Sequence, residues 1–529
     1  MPTHSADDER LKKLGDLAAQ QTFDMVVIGG GATGLGLALD AALRGHKVAL
    51  VERLDFGQGT SSRSTKLVHG GVRYLAQGNF KLVYEALRER ANLLANAPHI
   101  AQPLSFVMPA YKLWHLPFYG AGLKAYDALA GKAGIGATRF MGPAAVGRML
   151  PNVKADGLLG GISYWDGQFD DARLALAIAR TAQSHGAVLA NYCAVTGLAW
   201  DGPKIAGVKV IDRETGVEFM VRSRCVINAT GAFADRLLQD GASSEAQRRR
   251  PLIAPSQGVH LSFDRSFLPT TSAVFWPRTS DGRVLFAIPW LGKTIVGTTD
   301  SKRPDAPDEP EPLPGEIDYL LEQCSHFFAA PPRRSDILSA WVGLRPLVNP
   351  HAASADRATK SISREHAVLV RPDGLVTVTG GKWTTYRSMA QDALDQCLDA
   401  GLMARRGTCV TATTRLIGGE GGHDAIPLTG SAGLHSYGSE GERLSSLPGA
   451  DRLVAPGLTE AMARFAVRHE FARTVEDVLA RRSRLLFLDA RAALESTDAV
   501  ADIVESETAA PSGRTAFKTL AAKYLNPVH

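Results

Sequence analysis

Three glycines and one carboxylate have the spacing of a site that binds a dinucleotide. Gly29, Gly31 and Gly34 directly follow an apolar run and open a helical pattern, and Glu52 ends the next apolar run. Glycines permit a tight turn and the close approach of a pyrophosphate to a helix N-terminus, while the carboxylate can bind a ribose hydroxyl. Glycines alone would also fit an ordinary turn. Because strand, helix and acid occur together, they predict a dinucleotide-binding β-α-β unit.

A segment rich in hydroxyls and glycines favours FAD over NAD as this dinucleotide. Residues 60–74 read TSSRSTKLVHGGVRY and can donate hydrogen bonds to a pyrophosphate and to a flavin ring. Segments 226–235 and 376–387 each place a Thr-Gly turn after an apolar strand, so the chain returns three times to one long ligand. The residues predicted to bind FAD are Gly29, Gly31, Ala32, Thr33, Gly34, Glu52, Arg53, Thr60, Ser61, Ser62, Ser64, Lys66, Leu67, His69, Gly70, Gly71, Val195, Ala229, Thr230, Gly231, Gly381, Lys382 and Thr384.

The surrounding periodicity predicts the elements that position these residues. Apolar strand patterns occur at 23–28, 46–51, 187–195, 205–211 and 225–228, and helical patterns at 35–44, 78–97 and 171–185. The remaining segments are an aromatic and basic insertion at 100–150, a β-rich block at 255–300, an acidic proline-rich loop at 301–315, a connecting stretch at 405–455 and a helical tail at 459–506.

Length and composition exclude several other classes of protein. The chain has 529 residues, a net charge of +5 and a sequence pI of about 8.9. This charge is too small to predict nucleic-acid binding, although it suits an anionic substrate or an anionic membrane surface. Five widely spaced cysteines predict a reducing compartment and no structural metal. We expect no secretory leader and no transmembrane helix, because no suitable apolar run occurs.

Seven sequence blocks together resemble the FAD-dependent, membrane-associated sn-glycerol-3-phosphate dehydrogenases. They are VVIGGGATGLGLALDAALRG (26–45), TSSRSTKLVHGGVRYL (60–75), FDDARLAL (169–176), VINATGAFAD (226–235), IPWLGKTIVGTTD (288–300), GLRPL (343–347) and GGKWTTYR (380–387), in the family's order. Segment 468–489 is similar to the family's C-terminal helical domain, so the resemblance covers about 23–505. Trp383 departs from the pattern, in which a smaller aliphatic residue is expected.

The resemblance implies an α/β fold with a glutathione-reductase-like FAD-binding Rossmann domain, a β-rich substrate domain and a C-terminal helical domain. The expected boundaries are 1–22 for an N-terminal tail, 23–100, 155–250 and 360–395 for the FAD domain, 101–154 and 251–359 for the substrate domain, 405–455 for a linker, and 456–529 for the helical domain.

The resemblance also implies the reaction and a substrate pocket. Hydride transfer from C2 of sn-glycerol 3-phosphate to flavin N5 would yield dihydroxyacetone phosphate, with the electrons passing to a membrane quinone. The matching pocket residues are Arg73, Tyr74, His260, Arg345 and Lys382.

The chemistry of these side chains suggests their roles. Arg73 and Arg345 are the candidates to bind the phosphate, because a guanidinium suits phosphate oxygens. A base must take the hydroxyl proton, and histidine titrates near neutral pH, so His260 is preferred and His69 is the competing candidate. Arg345 is alternatively a group that stabilises the alkoxide. Tyr74 fits substrate orientation and core packing equally well.

The expected acceptor, partners and location follow mainly from the resemblance. They are a membrane quinone, an anionic lipid surface and a peripheral position on the cytoplasmic face of an inner membrane, with a homodimer left open. Aromatic and basic residues at 110–150 and the basic cluster 247–252 fit a membrane surface, although ordinary solvated faces fit as well. The alternatives are an oxidase that uses oxygen, a related amino- or hydroxy-acid oxidoreductase, and a non-catalytic FAD-binding protein.

Overall fold

The structure is a computed structural model that describes residues 6–19, 21–75, 78–239, 251–279, 282–349, 366–421 and 426–527. For Arg73 and Tyr74 the description covers the backbone alone, and Arg248, Arg249 and Arg250 of the basic cluster lie outside it.

The strands of the described ranges fall mainly between residues 23 and 380. They are β1 (Phe23–Ile28), β2 (Val48–Val51), β3 (Leu67–Val68), β4 (Ala101–Ala110), β5 (Arg139–Met141), β6 (Gly160–Phe169), β7 (Val188–Ala190), β8 (Cys193–Asp201), β9 (Lys204–Asp212), β10 (Glu218–Asn228), β11 (Ile253–Asp264), β12 (Ala273–Trp276), β13 (Leu285–Trp290), β14 (Lys293–Gly297), β15 (Ser301–Lys302), β16 (Ser339–Val348), β17 (His366–Val370), β18 (Leu375–Gly380), β19 (Leu453–Ala455) and β20 (Leu458–Thr459).

The helices are distributed along the described chain, with the last six between Gly441 and Leu525. They are α1 (Ala6–Ala18), α2 (Ala32–Leu43), α3 (Val72–Leu75), α4 (Phe80–Asn96), α5 (His115–Ala130), α6 (Pro143–Met149), α7 (Asp171–Ser184), α8 (Ala234–Gln239), α9 (Glu316–Phe327), α10 (Tyr386–Asp399), α11 (Gly441–Ser445), α12 (Glu460–His469), α13 (Leu485–Leu488), α14 (Ala490–Glu495), α15 (Thr497–Glu507) and α16 (Arg514–Leu525).

A mostly parallel sheet forms the first layer. Every residue of β1 is buried, the pattern of a central strand covered on both faces. β1 pairs in parallel with β10 and β2, and the order is β17-β18-β10-β1-β2-β7, with β8 and β9 attached through β10. α2 packs on α7 and α10 over one face. The β-α-β unit and the α/β fold class predicted from the sequence are confirmed.

The strand predicted at 187–195 is wrong in one respect, because two strands occupy this run. β7 ends at Ala190 and β8 begins at Cys193. Between them Tyr192 has a left-handed φ of 56°. The turn lets β7 pair in parallel with β2 while β8 pairs antiparallel with β9. Apolar periodicity continues across the turn and so does not reveal it.

A second, largely antiparallel sheet stands beside the first. Its order is β15-β11-β14-β13-β12-β4-β6-β3, with β16 paired to β11 and β5 to β6. α9 packs against this sheet, and its buried Ile317 and Leu320 join a core that includes Val259 and Leu261 of β11. The segment interpreted as an insertion, 100–150, supplies the long strand β4 as well as α5 and α6. The second sheet meets the first where β16 contacts β18, and the Leu344 carbonyl of β16 accepts from Thr60.

The C-terminal helices share a core with Trp290 and Trp341 of the second sheet and are joined to the first layer by buried ion pairs. Phe465 and Leu486 are among the apolar residues of that core. Arg482 donates to Asp55, and both side chains are fully buried. Arg173 and Glu470 form a second buried pair with a 2.7 Å contact. Over the ranges described, no helix is both long and apolar enough to cross a bilayer.

Candidate active site

The glycine turn after β1 has no room for side chains. Gly29 has φ of +108°, and a Cβ there would lie 2.7 Å from the Ala229 carbonyl oxygen. A Cβ on Gly34 would lie 1.9 Å from the Gly29 oxygen. Gly31 caps α2 without a side-chain acceptor, while Ser61 Oγ accepts from the Ala32 N–H at 2.9 Å. The turn therefore brings bare backbone and a helix N-terminus together, as a pyrophosphate site requires.

Glu52 lies at the carboxyl end of β2, facing the same turn. Its carboxylate accepts from the Gly30 N–H at 2.7 Å and from the Leu54 N–H at 2.9 Å. Burial raises the pKa of Glu52, while these backbone donors oppose the rise. The glycine turn leaves space that a Cβ would fill, and the Glu52 carboxylate is held beside it. Together they fit the pyrophosphate and adenosine parts of FAD.

The hydroxyl-rich segment connects the two sheets, and several of its polar groups bond within the protein. Thr60 donates to the Leu344 carbonyl at 2.6 Å, and Ser64 donates to Asp171 at 2.7 Å. Thr384 Oγ1 accepts from the His69 N–H at 3.1 Å, so the later Thr-Gly segment meets this one. Thr230 donates to Asn228 at 2.7 Å.

The other residues predicted to bind FAD are spread over several elements, and Leu67 lies on β3 of the second sheet. Gly381 has φ of +71°, and a Cβ there would lie 2.2 Å from Met389 Sδ. Trp383, the residue that departs from the family pattern, donates to the Ser61 carbonyl at 2.8 Å and so bridges the two segments. Val195 lies on β8, at a distance along the chain from the glycine turn.

Lys66 is placed differently from the other predicted cofactor residues. Its ammonium group is fully buried, 2.7 Å from Asp171 and 2.8 Å from the Ser62 carbonyl. Burial lowers the pKa of Lys66 to about 7, against the opposing effect of Asp171. The side chain thus joins an internal ion pair, with Arg484 of the C-terminal helices 2.9 Å from the other carboxylate oxygen.

His260 lies on β11 in a closed environment. The side chain is 2% exposed and stacks on Trp341 of β16 with ring centroids 5.4 Å apart. Nε2 lies 2.9 Å from Thr65 Oγ1, and Nδ1 is buried without a hydrogen-bond partner among the described residues. Burial, then the positive charges of Lys66 and Arg345, lower the pKa of His260 well below its ordinary value. The imidazole is therefore neutral at physiological pH.

Arg345 lies on β16 close to His260 and is partly exposed. Its guanidinium donates to the carbonyl oxygens of Gln257 and Thr299, both at 3.1 Å, and to Asp300 at 3.1 Å. Its side chain is 34% exposed, so a charged fork held by backbone carbonyls still faces an open side. This arrangement suits the binding of an anion.

The remaining predicted pocket residues divide into two groups. Lys382 directly precedes the short turn Trp383–Thr385, beside the segment that carries His69. The side chains of Arg73 and Tyr74 lie outside the described part of the chain. His260 and Arg345 are thus brought together, since the positive charge of Arg345 acts on the His260 ring.

Sequence reasoning missed Thr65, Asp171 and Arg484. Thr65 lies inside the hydroxyl-rich block with nothing that distinguishes it from its neighbours, and Asp171 stands only in a family block and at the start of a helical pattern. Arg484 is 313 residues from Asp171 in the chain. Its RRSR context is the one signal that the sequence offers, because arginine clusters within an apolar helical pattern need buried partners.

The comparisons with known proteins agree with this geometry. Residues 24–387 match the family model described as FAD dependent oxidoreductase, and residues 409–512 match the C-terminal domain of alpha-glycerophosphate oxidase. The chain is similar to a probable mitochondrial glycerol-3-phosphate dehydrogenase of Caenorhabditis elegans, with 40% identity over 95% of this chain and 73% of that protein. The mitochondrial glycerol-3-phosphate dehydrogenase of Homo sapiens is 39% identical over 96% of this chain and 73% of its own length.

Solved structures give the same result. The glycerol-3-phosphate dehydrogenase of Bacillus halodurans, complexed with FAD, has a TM-score of 0.78 and 29% identity, with 99% of both chains covered. The L-alpha-glycerophosphate oxidase of Mycoplasma pneumoniae, at 17% identity and a TM-score of 0.56, shares the fold over 75% of this chain. The resemblance noted in the sequence and the FAD cofactor are confirmed. The chain belongs to the family of FAD-dependent glycerol-3-phosphate dehydrogenases.

Proposed function

We propose that the protein oxidises sn-glycerol 3-phosphate at C2, with His260 as the base and a membrane quinone as the final electron acceptor. One observation supports the assignment of the base: a buried imidazole on β11, whose pKa is lowered by burial, lies near the partly exposed guanidinium of Arg345 on β16. Bound FAD supplies the hydride acceptor. The glycine turn, Glu52 and the segment 60–71 would hold it.

The protein's own groups handle the proton and the phosphate. His260 is able to accept the C2 hydroxyl proton because burial keeps its ring neutral. Arg345 faces the open side and binds the phosphate, with Lys382 and Arg73 as further cations. The positive charge of Arg345 would also stabilise the alkoxide that forms when the proton leaves. Phosphate binding and alkoxide stabilisation thus differ in which substrate oxygen Arg345 contacts.

An exposed aromatic helix supports contact with a membrane surface. Trp114 and Phe118, at the start of α5, are 50% and 61% exposed, and their ring centroids are 5.8 Å apart. Lys112 and Lys124 are exposed on the same segment. Interfacial helices combine aromatic and basic side chains in this way. We therefore assign α5 to the bilayer interface from which a quinone would be reached.

Anaerobic flavin reduction tests the proposal. Purified holoenzyme is mixed with sn-glycerol 3-phosphate, and the visible flavin band is followed before and after addition of a quinone analogue or of oxygen. We expect the band to bleach and the quinone analogue to restore it faster than oxygen does. Faster recovery with oxygen would indicate an oxidase. A band that bleaches only with amino or hydroxy acids would overturn the substrate assignment.

A further inference from the structure

A threonine that belongs to no predicted site makes the single polar contact of the His260 ring among the described residues. Thr65 Oγ1 lies 2.9 Å from His260 Nε2. The other ring nitrogen, Nδ1, is buried and has no hydrogen-bond partner in the described ranges. The Thr65 hydroxyl can accept from an Nε2–H or donate to a bare Nε2, so the surroundings of Nδ1 decide between the two tautomers.

The position of Thr65 is fixed from both sides along the chain. Its neighbours Ser64 and Lys66 each donate to Asp171, at 2.7 Å. Lys66 has a left-handed φ of 64°, which is uncommon for a residue other than glycine. Arg484 donates to Asp171 at 2.9 Å and to the Ser62 carbonyl at 2.8 Å. The hydroxyl is thus presented to His260 by a segment that buried ion pairs hold in place.

Two tautomers of the neutral ring are possible, and they differ in cost. With the proton on Nδ1, a buried N–H would have no acceptor, which is rare in folded proteins. With the proton on Nε2, that N–H donates to Thr65 Oγ1 and the Nδ1 lone pair stays available. The second arrangement satisfies the donor and leaves the Nδ1 lone pair without a proton.

We propose that Thr65 is a positioning residue, whose hydroxyl accepts the Nε2 proton of His260 and so keeps the Nδ1 lone pair directed to catalysis. This inference rests on the proposed role of His260 as the base. The charged groups that act on the ring are Lys66, on the segment of Thr65, and Arg345, on β16. On the β14 side, the ring faces the backbone of Gly297.

The proton balance of the step is simple. The C2 hydroxyl proton would pass to Nδ1 of His260 and a C2 carbonyl would form as the hydride leaves C2, for which bound FAD would supply the acceptor. Thr65 neither gains nor loses a covalent bond. Its oxygen accepts the Nε2–H bond before the transfer and stabilises the imidazolium after it, as an orienting group does for a catalytic base.

Three variants of the holoenzyme test the proposal by steady-state kinetics. Thr65→Val keeps the shape and removes the hydroxyl, and we expect kcat to fall about 10- to 100-fold, the range found for orienting partners, with little change in KM. Thr65→Ser restores the hydroxyl and is expected to recover most of kcat. Thr294→Val is the matched control, because Thr294 is a buried threonine on β14 whose hydroxyl has no partner among the described residues.

A second readout separates positioning from packing. In holoenzyme labelled with 15N-histidine, the ring signals of His260 are identified by their loss in His260→Asn. We expect an unprotonated Nδ1 and a protonated Nε2 in the wild type and in Thr65→Ser, and a mixture of tautomers in Thr65→Val. A wild-type ring protonated on Nδ1 would overturn the proposal.

The outcomes distinguish this inference from the function on which it rests. If His260→Asn retains turnover, His260 is not the base and the proposed function fails at that point. If His260→Asn loses turnover but Thr65→Val matches Thr65→Ser in kcat, the base stands and the role of Thr65 is refuted. Unchanged kcat in Thr294→Val would show that removing a buried threonine hydroxyl does not by itself lower kcat.

Discussion

At the scale of single residues, burial rather than a charged partner sets the protonation state of His260. The ring is 2% exposed, stacks on Trp341 and is near two cations, so its pKa lies well below the ordinary value. A neutral imidazole can take a proton over the whole physiological range. The same burial makes the residue a source of acid sensitivity.

The stability of the fold should depend on pH through His260. The unfolded chain binds a proton at this histidine below about pH 6.5, whereas the folded chain does not, so stability falls as the pH falls below that value. Between pH 6.5 and 5.5 we expect the wild type to lose up to about 1 kcal/mol more than His260→Gln, as measured by urea denaturation at each pH. Equal losses in the two proteins would contradict the buried, neutral state.

Arg345 has two candidate roles, and kinetics with two substrates separates them. If the guanidinium binds the phosphate, Arg345→Met should lower kcat/KM for sn-glycerol 3-phosphate about 10- to 150-fold, the equivalent of one charge-assisted contact, and leave the slow reaction of glycerol unchanged. If the guanidinium stabilises the alkoxide, kcat/KM should fall for both substrates. Arg334→Met, which removes an exposed arginine paired with Asp318, is the control. No loss with either substrate would remove Arg345 from the site.

The residue types of the site were predictable, but their partners were not. The reaction needs a base, and the family motifs leave His260 and His69 as the candidates among the 14 histidines. Thr65 could not be chosen in the same way, because its contact with His260 joins residues 195 positions apart. The hydroxyl-rich segment has several serines and threonines, and nothing in the local sequence indicates which of them faces the His260 ring.

At the scale of elements, the β1–turn–α2 unit is the part of the fold that the sequence specified best. Its apolar run, glycine spacing and terminal acid each have a local physical reason, and the structure places all of them at one sheet edge. The break between β7 and β8 was not visible, since apolar periodicity continues through Tyr192. Where a strand ends depends on its pairing partners, which lie elsewhere in the chain.

The close contact at Gly34 predicts a strong effect of one methyl group. A Cβ at this position would lie 1.9 Å from the Gly29 oxygen, so Gly34→Ala must displace the turn. We expect loss of bound FAD, measured as the ratio of visible flavin absorbance to protein absorbance. Gly147→Ala is the matched control, since Gly147 lies in helix α6 with no atom within 4 Å of the added Cβ. Normal FAD content in Gly34→Ala would show that this turn does not hold the pyrophosphate.

At the scale of the whole molecule, buried arginines attach the C-terminal helices to the layer formed by the first sheet and its helices. Arg482 reaches Asp55 across 427 positions and Arg484 reaches Asp171 across 313. Periodicity predicted a helical tail, but it could not predict that these side chains would help fix the segment around Thr65. We infer that the C-terminal helices contribute to the order of the active site as well as to its stability.

The outer face of α5 gives a prediction about membrane association. Trp114→Ser combined with Phe118→Ser should weaken co-sedimentation with vesicles that contain anionic lipid, because the pair buries its rings in the interface. Trp200→Ser combined with Met220→Ser removes two exposed apolar side chains from strands β8 and β10 and serves as the control. Equal loss in both double variants would indicate non-specific adsorption and refute a dedicated surface on α5.

The most direct test of the account is stopped-flow reduction of the bound flavin by sn-glycerol 3-phosphate, in the wild type and in His260→Ala. We expect the wild-type flavin to be reduced rapidly, and more slowly when C2 carries deuterium. We expect His260→Ala to keep its FAD but to be reduced at least about 100-fold more slowly. Reduction of His260→Ala at the wild-type rate, or a wild-type flavin that stays oxidised with this substrate, would contradict the proposed function.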